Sequence, residues 1–176
     1  MGVRESFDDD EWFLLGSLPA MIAAAMSSAS PGGTIREMLA GMRRTVEGRR
    51  DHPDSELVGA LLEKAAGWDE AKEKAKDYRA RLDARLGEAG VTTRESLHEQ
   101  VVADCARAAA LVDARCAPDE ANAYKSWCVA IARDVANAAK EGGFLGFGGE
   151  RVSEAERETM ARIEGALGVA TGVLLA

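Results

Sequence analysis

The chain has 176 residues, 47% of them apolar and 30% charged, a composition that suits one globular domain with a single core and excludes a disordered chain. Its 30 acidic against 22 basic side chains give a formal net charge of −8, which repels phosphate backbones and argues against nucleic-acid binding. Uninterrupted apolar runs fall short of the roughly 18 residues of a membrane span, and acids stand where a signal peptide would carry its apolar region. A cytoplasmic protein with no membrane partner is therefore expected.

Ala, Leu, Glu, Lys and Arg dominate the sequence, and no window alternates with β-branched residues; the expected fold is all-α, a single bundle of six or seven helices across residues 1–176, without significant sheet. Met1-Gly2-Val3-Arg4-Glu5-Ser6 formally fits a myristoylation pattern but lacks a polybasic second signal, so an ordinary N-terminus is expected. The first helix is placed from Asp8 to Ala29, apolar nearly all round and buried, with Pro19 bending or dividing it. The run Asp8-Asp9-Asp10-Glu11 lacks the alternating oxygen ligands and central glycine of a calcium loop, and is read as first-turn acids opposing the helix dipole.

After the break at Ser30-Pro31-Gly32-Gly33, the second helix carries Ile35, Met38, Leu39, Met42 and Val46 at helical spacing, with its charged face expected outward. Arg43, Arg44, Arg49 and Arg50, interrupted by Glu47 and Asp51, are read as cations near a helix C-terminus rather than a phosphate site. Asp51-His52-Pro53-Asp54 makes a turn into a third helix with Leu57, Val58, Leu61, Leu62 and Ala65, ending near Gly67. From Trp68 the charge density rises, yet Ala71, Ala75, Tyr78, Leu82 and Leu86 repeat at spacings of three and four, giving an amphipathic helix that Gly90 ends.

The fifth helix carries Leu97, Val101, Cys105, Ala108 and Val112; Ala117-Pro118 turns it into a sixth with Tyr124, Trp127, Ile131, Val135 and Ala138. A final helix runs from Ser153 to Leu167. Three capping boxes mark helix starts: Thr34 with Glu37, Thr92 with Glu95, and Ser153 with Glu156. A helix, glycine break and capped helix occur near both ends of the chain; this echo is read first as two hairpins of a common kind, with duplication the lesser reading.

Between the last two helices lies Gly142-Gly143-Phe144-Leu145-Gly146-Phe147-Gly148-Gly149, five glycines among three large apolar residues. No lysine follows Gly149 as a Walker loop needs, and Arg151 stands where a dinucleotide fingerprint would have its third glycine. Phe144 and Phe147 either fold back over the bundle, which is the favoured reading, or form a partner or oligomer surface; anion binding by the loop backbone is the weakest option. These eight residues are the candidate interaction or structural loop.

The run from Ala138 through Gly149, followed by Val152-Ser153-Glu154-Ala155-Glu156, resembles a C-terminal signature of bacterial proteins of uncharacterised function. A helix ending in small residues, a Gly turn and a capped Ser-x-x-Glu helix are also similar, more distantly, to the TerB-like helical domains of tellurite resistance. The TerB resemblance implies an all-α fold and acidic metal binding; this loop has no aspartate and offers Glu150 and the helix-start acids, so the fold alone is carried over.

His52 and His98 show no zinc-ligand spacing with the cysteines; a surface turn and a partly exposed helix position are expected for them. Cys105 and Cys128 lie about equally far from the Ala117 turn, so antiparallel docking of the flanking helices makes them neighbours, and buried thiols are favoured over a disulfide, with Cys116 at the turn. Met21, Met26, Met38 and Met42 are read as core. No nucleophile elbow or His-Asp pairing appears, so no catalytic residue, metal ligand or cofactor is assigned. The expected function is non-enzymatic binding of a protein partner or a second copy in a stress-response setting, through the Gly-rich segment and adjoining helices. The alternatives are a TerB-like ligand- or metal-binding domain and an enzyme with an unrecognised site.

Overall fold

The computed structural model describes residues 2–29, 35–63, 67–141 and 154–169, so the Gly-rich segment 142–149 and the capping boxes at Thr34 and Ser153 lie outside the described residues. Among the described residues the elements are a 3-10 turn at Val3–Ser6 and seven α-helices, with no strand: α1 Asp9–Ala29, α2 Ile35–Asp51, α3 Glu56–Leu61, α4 Trp68–Glu88, α5 Arg94–Arg115, α6 Pro118–Glu141 and α7 Glu154–Ala166. The expected all-α bundle is what the chain forms.

α1 sits at the centre, packed by α5, α6, α2 and α7. Leu14, Leu15, Leu18, Ile22, Ala25 and Met26 are buried along it, because a helix apolar on most faces must find neighbours on most sides. By length and composition α1 is also long and apolar enough to cross a membrane, with a mean hydropathy of 1.5 over its most apolar stretch. Counting uninterrupted runs missed this, since Gly16, Ser17, Pro19 and Ser27 dilute the stretch without charging it.

Pro19 does not divide α1, which runs unbroken from Asp9 to Ala29. Proline has no N–H to donate to the carbonyl four residues back, and that carbonyl, on Leu15, instead accepts the hydroxyl of Tyr124 from α6 at 2.8 Å. The helix start is closed by reciprocal bonds: Asp8 Oδ1 accepts from the Glu11 backbone N–H at 2.8 Å, and Glu11 Oε2 accepts from the Asp8 N–H at 2.9 Å, a capping box with aspartate as the cap.

α5 and α6 form an antiparallel hairpin whose seam carries Val101, Cys105, Ala108 and Val112 facing Tyr124, Trp127, Cys128 and Ile131, all buried. α5 is capped by Thr93, whose hydroxyl accepts from Ser96 N–H at 3.1 Å while Ser96 Oγ accepts from Thr93 N–H at 3.0 Å. The expected Thr92–Glu95 box is therefore displaced by one residue, because the short Ser96 hydroxyl reaches the cap backbone. Gly90 ends α4 as expected: at φ +68 it lets Val91 N–H reach Leu86 O at 2.9 Å and its own N–H reach Gly87 O at 3.0 Å, the paired bonds of a Schellman cap.

α3 is shorter than expected, ending at Leu61, but Leu57 and Val58 are fully buried. Its start is held by Glu120 of α6, whose carboxylate accepts from Ser55 Oγ at 2.7 Å, Glu56 N–H at 2.8 Å and Leu57 N–H at 2.9 Å. Burial raises the Glu120 pKa, yet these three donors outweigh it and the net shift is downward. α4 departs further from expectation. Ala71 and Ala75 of its supposed stripe are exposed, and residues 68–77 are exposed throughout. Alanine methyls offer little area to bury, so docking falls to the second half, where Tyr78 packs on Phe13 and Arg81 stacks over the same ring at 4.4 Å. Arg85 completes the attachment by pairing with the buried Asp104 of α5.

Candidate interaction surface

The helix that defines the surface is α2, because its apolar stripe, expected in the core, faces outward beside the charged residues that were expected there. Leu39, Met42 and Val46 are 55%, 59% and 63% exposed, whereas Gly41 and Gly48 are buried on the opposite side. The apolar stripe points outward. Gly41 faces α1 and α6 so closely that a Cβ there would lie 2.7 Å from Ala23 Cβ and 3.1 Å from Val135 Cγ2. At Gly48 a Cβ would overlap the Trp127 indole, standing 2.7 Å from its Cδ1. Two glycines one heptad apart thus make a flat face that lets α2 approach the bundle backbone-first. α2 packs more extensively on α6 than on any other helix.

The polar residues of α2 follow the same geometry. Arg44, 28% exposed, turns towards α6 and lies 3.5 Å from Asp134, and it pairs with Asp51 at 2.9 Å. Arg43 and Arg50 point outward beside the apolar stripe, 75% and 69% exposed at their side chains. The expected placement of cations towards the helix C-terminus holds for Arg49 and Arg50, which occupy the last turn.

Three outward apolar side chains spaced 39, 42, 46 form a ridge about two turns long. A second large apolar group, Trp68 at the start of α4, is 84% exposed. Monomeric proteins seldom leave such residues contiguous without a binding role, whereas singly exposed ones are ordinary; the α2 ridge is contiguous and Trp68 is single. The signal that could have revealed the inversion was in the sequence: Gly41 and Gly48 lie on the helical face opposite Leu39 and Val46.

The other residues singled out by the sequence are occupied structurally. Of the acidic run, Asp8 caps α1, Asp9 pairs with Arg4, Asp10 with Arg81 at 2.6 Å, and Glu11 with both terminal nitrogens of Arg115 at 2.6 Å. Glu164 of α7, almost fully buried, takes Arg133 Nε at 3.1 Å and Nη2 at 2.8 Å. Cys105 and Cys128 are buried neighbours. Burial pushes the Cys128 thiol up to about 12, against a lowering contact with Tyr124, and pushes Cys105 higher still, so neither is a nucleophile at neutral pH. Cys116 is half-buried at the turn, and burial followed by Glu120 raises it too.

Sequence reasoning did not anticipate one pair: Ser28 Oγ lies 2.8 Å from His98 Nε2. The same hydroxyl also lies within hydrogen-bond reach of Ala25 O, at 2.9 Å. Burial, foremost, holds the His98 pKa below its usual value, with Ala25 O opposing. The pair joins the last turn of α1 to α5, and among the described residues no carboxylate is hydrogen-bonded to the ring to orient it, as a base for a serine nucleophile would need. A cavity of about 500 Å³ opens between the end of α2 and α3, lined by Arg49, Asp54, Ser55, Glu56 and Glu63 among others. It is a surface depression, since all of these but Ser55 are exposed, and Ser55 is already bonded to Glu120.

No protein-family model, curated protein or solved structure matches the chain.

Proposed function

We propose that this chain is a non-enzymatic helical protein that acts by binding another protein, with the outward face of α2 as its recognition surface. The observation that carries the reading is the exposure of Leu39, Met42 and Val46 on a helix whose glycine face is already spent on the bundle. Turning α2 over to hide the ridge would drive side chains into Ala23 and Trp127, so the ridge stays available while the fold is intact. The buried thiols Cys105 and Cys128, which form no disulfide, support a reducing, cytoplasmic setting, and the distant sequence resemblance of the Gly turn and capped Ser-x-x-Glu helix to TerB-like domains is the ground for a stress-response role.

The test places a photo-crosslinking side chain at Met42 in the full chain within its source cells. A discrete protein adduct is expected there and not from Asp83 on the exposed side of α4, and Leu39→Asp should remove it without lowering the melting temperature. No adduct at position 42, or one unaffected by Leu39→Asp, overturns the reading.

A further inference from the structure

We infer that the α2 ridge receives an amphipathic α-helix whose flanking residues are acidic; the inference rests on the reading of α2 as a binding surface and names its partner's chemistry. Leu39, Met42 and Val46 follow the alternating three-and-four spacing of a coiled-coil seam, which another helix can track side by side. Among the described side chains of α2, those outside the seam are small, charged or packed against α1 and α6, so the seam there is narrow and matches one helix rather than a broad surface.

Charge decides which helix. Arg43 and Arg50 stand seven residues apart along one edge of the ridge and are largely exposed. Arg49, also exposed, lies on the other edge. Glu47 is approached by Arg43 at 3.3 Å, Arg44 at 3.8 Å and Arg50 at 3.5 Å, so one carboxylate is shared among three guanidinium groups. Asp51 is taken by Arg44 and Arg50. Arg43, Arg44, Arg49 and Arg50 outnumber Glu47 and Asp51, so this stretch of α2 keeps a net positive charge on a protein whose overall charge is −8. A second α2 laid antiparallel across the ridge would set arginine against arginine, which disfavours self-association. Acidic residues at the flanking positions of the incoming helix instead match the edge along its length. An anionic membrane would match the arginines but not a ridge three residues long, since interfacial helices bury a wide apolar face.

The probes are two stapled single-helix peptides with the same leucine seam, one flanked by glutamates and one by lysines, titrated into the full chain at low salt. The glutamate peptide is expected to bind about tenfold more tightly than the lysine peptide, and the double variant Arg43→Glu, Arg50→Glu should reverse that order. Leu39→Asp should abolish binding of both. Equal binding of the two peptides, lost in Leu39→Asp, overturns the acidic partner and leaves the surface intact. Failure of both peptides to bind overturns the inference. So does concentration-dependent dimerisation, or binding to phosphatidylserine vesicles, that Leu39→Asp removes while the peptides stay unbound; in the dimer case the surface reading stands with a second copy as its partner.

Discussion

The hydroxyl of Tyr124 donates to the carbonyl of Leu15 at 2.8 Å across 109 residues of chain, filling the position that Pro19 leaves empty in α1. A buried carbonyl without a donor costs about 1–3 kcal/mol, and Tyr124 is fully buried. Tyr124→Phe should therefore destabilise by about that amount. In a Pro19→Ala background the helix recovers its own N–H, so the same substitution should cost about 1 kcal/mol less. Denaturant melts of the four-member cycle check this, and additive effects would show that the hydroxyl and the proline are unrelated.

Gly48 supports the orientation of α2 in a way that reverses an ordinary rule. Glycine to alanine inside a helix normally stabilises by about 0.8–1 kcal/mol, and Gly87, with no atom near its would-be Cβ, should follow that sign. At Gly48 the added methyl meets the buried Trp127 ring, and overpacking of this kind costs about 1–3 kcal/mol. Opposite signs for Gly48→Ala and Gly87→Ala in thermal melts are the expected outcome; stabilisation at both positions would place α2 further from α6 than described.

Much of the bundle was legible because periodicity and caps are local. The cap at Gly90 follows from the glycine itself, and the α5–α6 seam and the adjacency of Cys105 and Cys128 follow from spacing around the Ala117 turn. What spacing cannot tell is which way a face looks. Leu39, Met42 and Val46 have the same pattern whether they face a core or solvent, and the answer lay with Ala23 and Trp127, far off in sequence. That Pro19 does not divide α1 was hidden for the same reason, since the donor to the Leu15 carbonyl comes from another element. In α4 the stripe was real in its second half, but Ala71 and Ala75 carry too little apolar area to dock the first. Ser28 and His98, 70 residues apart, share no local motif that could pair them.

The thiols make a separate expectation. With the Cys105 and Cys128 pKa values raised mainly by burial, a thiol reagent at neutral pH should modify Cys116 first and reach the other two once the fold opens. Counting under denaturing, non-reducing conditions should find all three free. Recovery of one thiol would mean a disulfide and a different compartment.

Both histidines couple stability to pH with the same sign. Burial is the leading cause that lowers the pKa of His98 and of His52, so the unfolded chain takes up protons more readily than the folded one. Their contribution is full above the unfolded value of 6.5 and is lost as pH falls below it. The melting temperature should therefore decline from pH 6.5 towards about pH 5, before the carboxylates begin to titrate, and His98→Gln should flatten part of that slope. An unchanged slope would remove His98 from the account.

The outward face of α2 is tested most directly by the oxidation rate of Met42 in the native full chain. Met42 is 59% exposed while Met21 and Met26 are 3% and 0% exposed, and peroxide reactivity of methionine follows access. Peptide mapping after mild peroxide treatment should show Met42 oxidised at a rate close to that in the unfolded chain, with Met21 and Met26 protected until the fold opens. Protection of Met42 comparable to that of Met26 would mean the ridge is covered within the protein itself, and would contradict its assignment as a free binding surface.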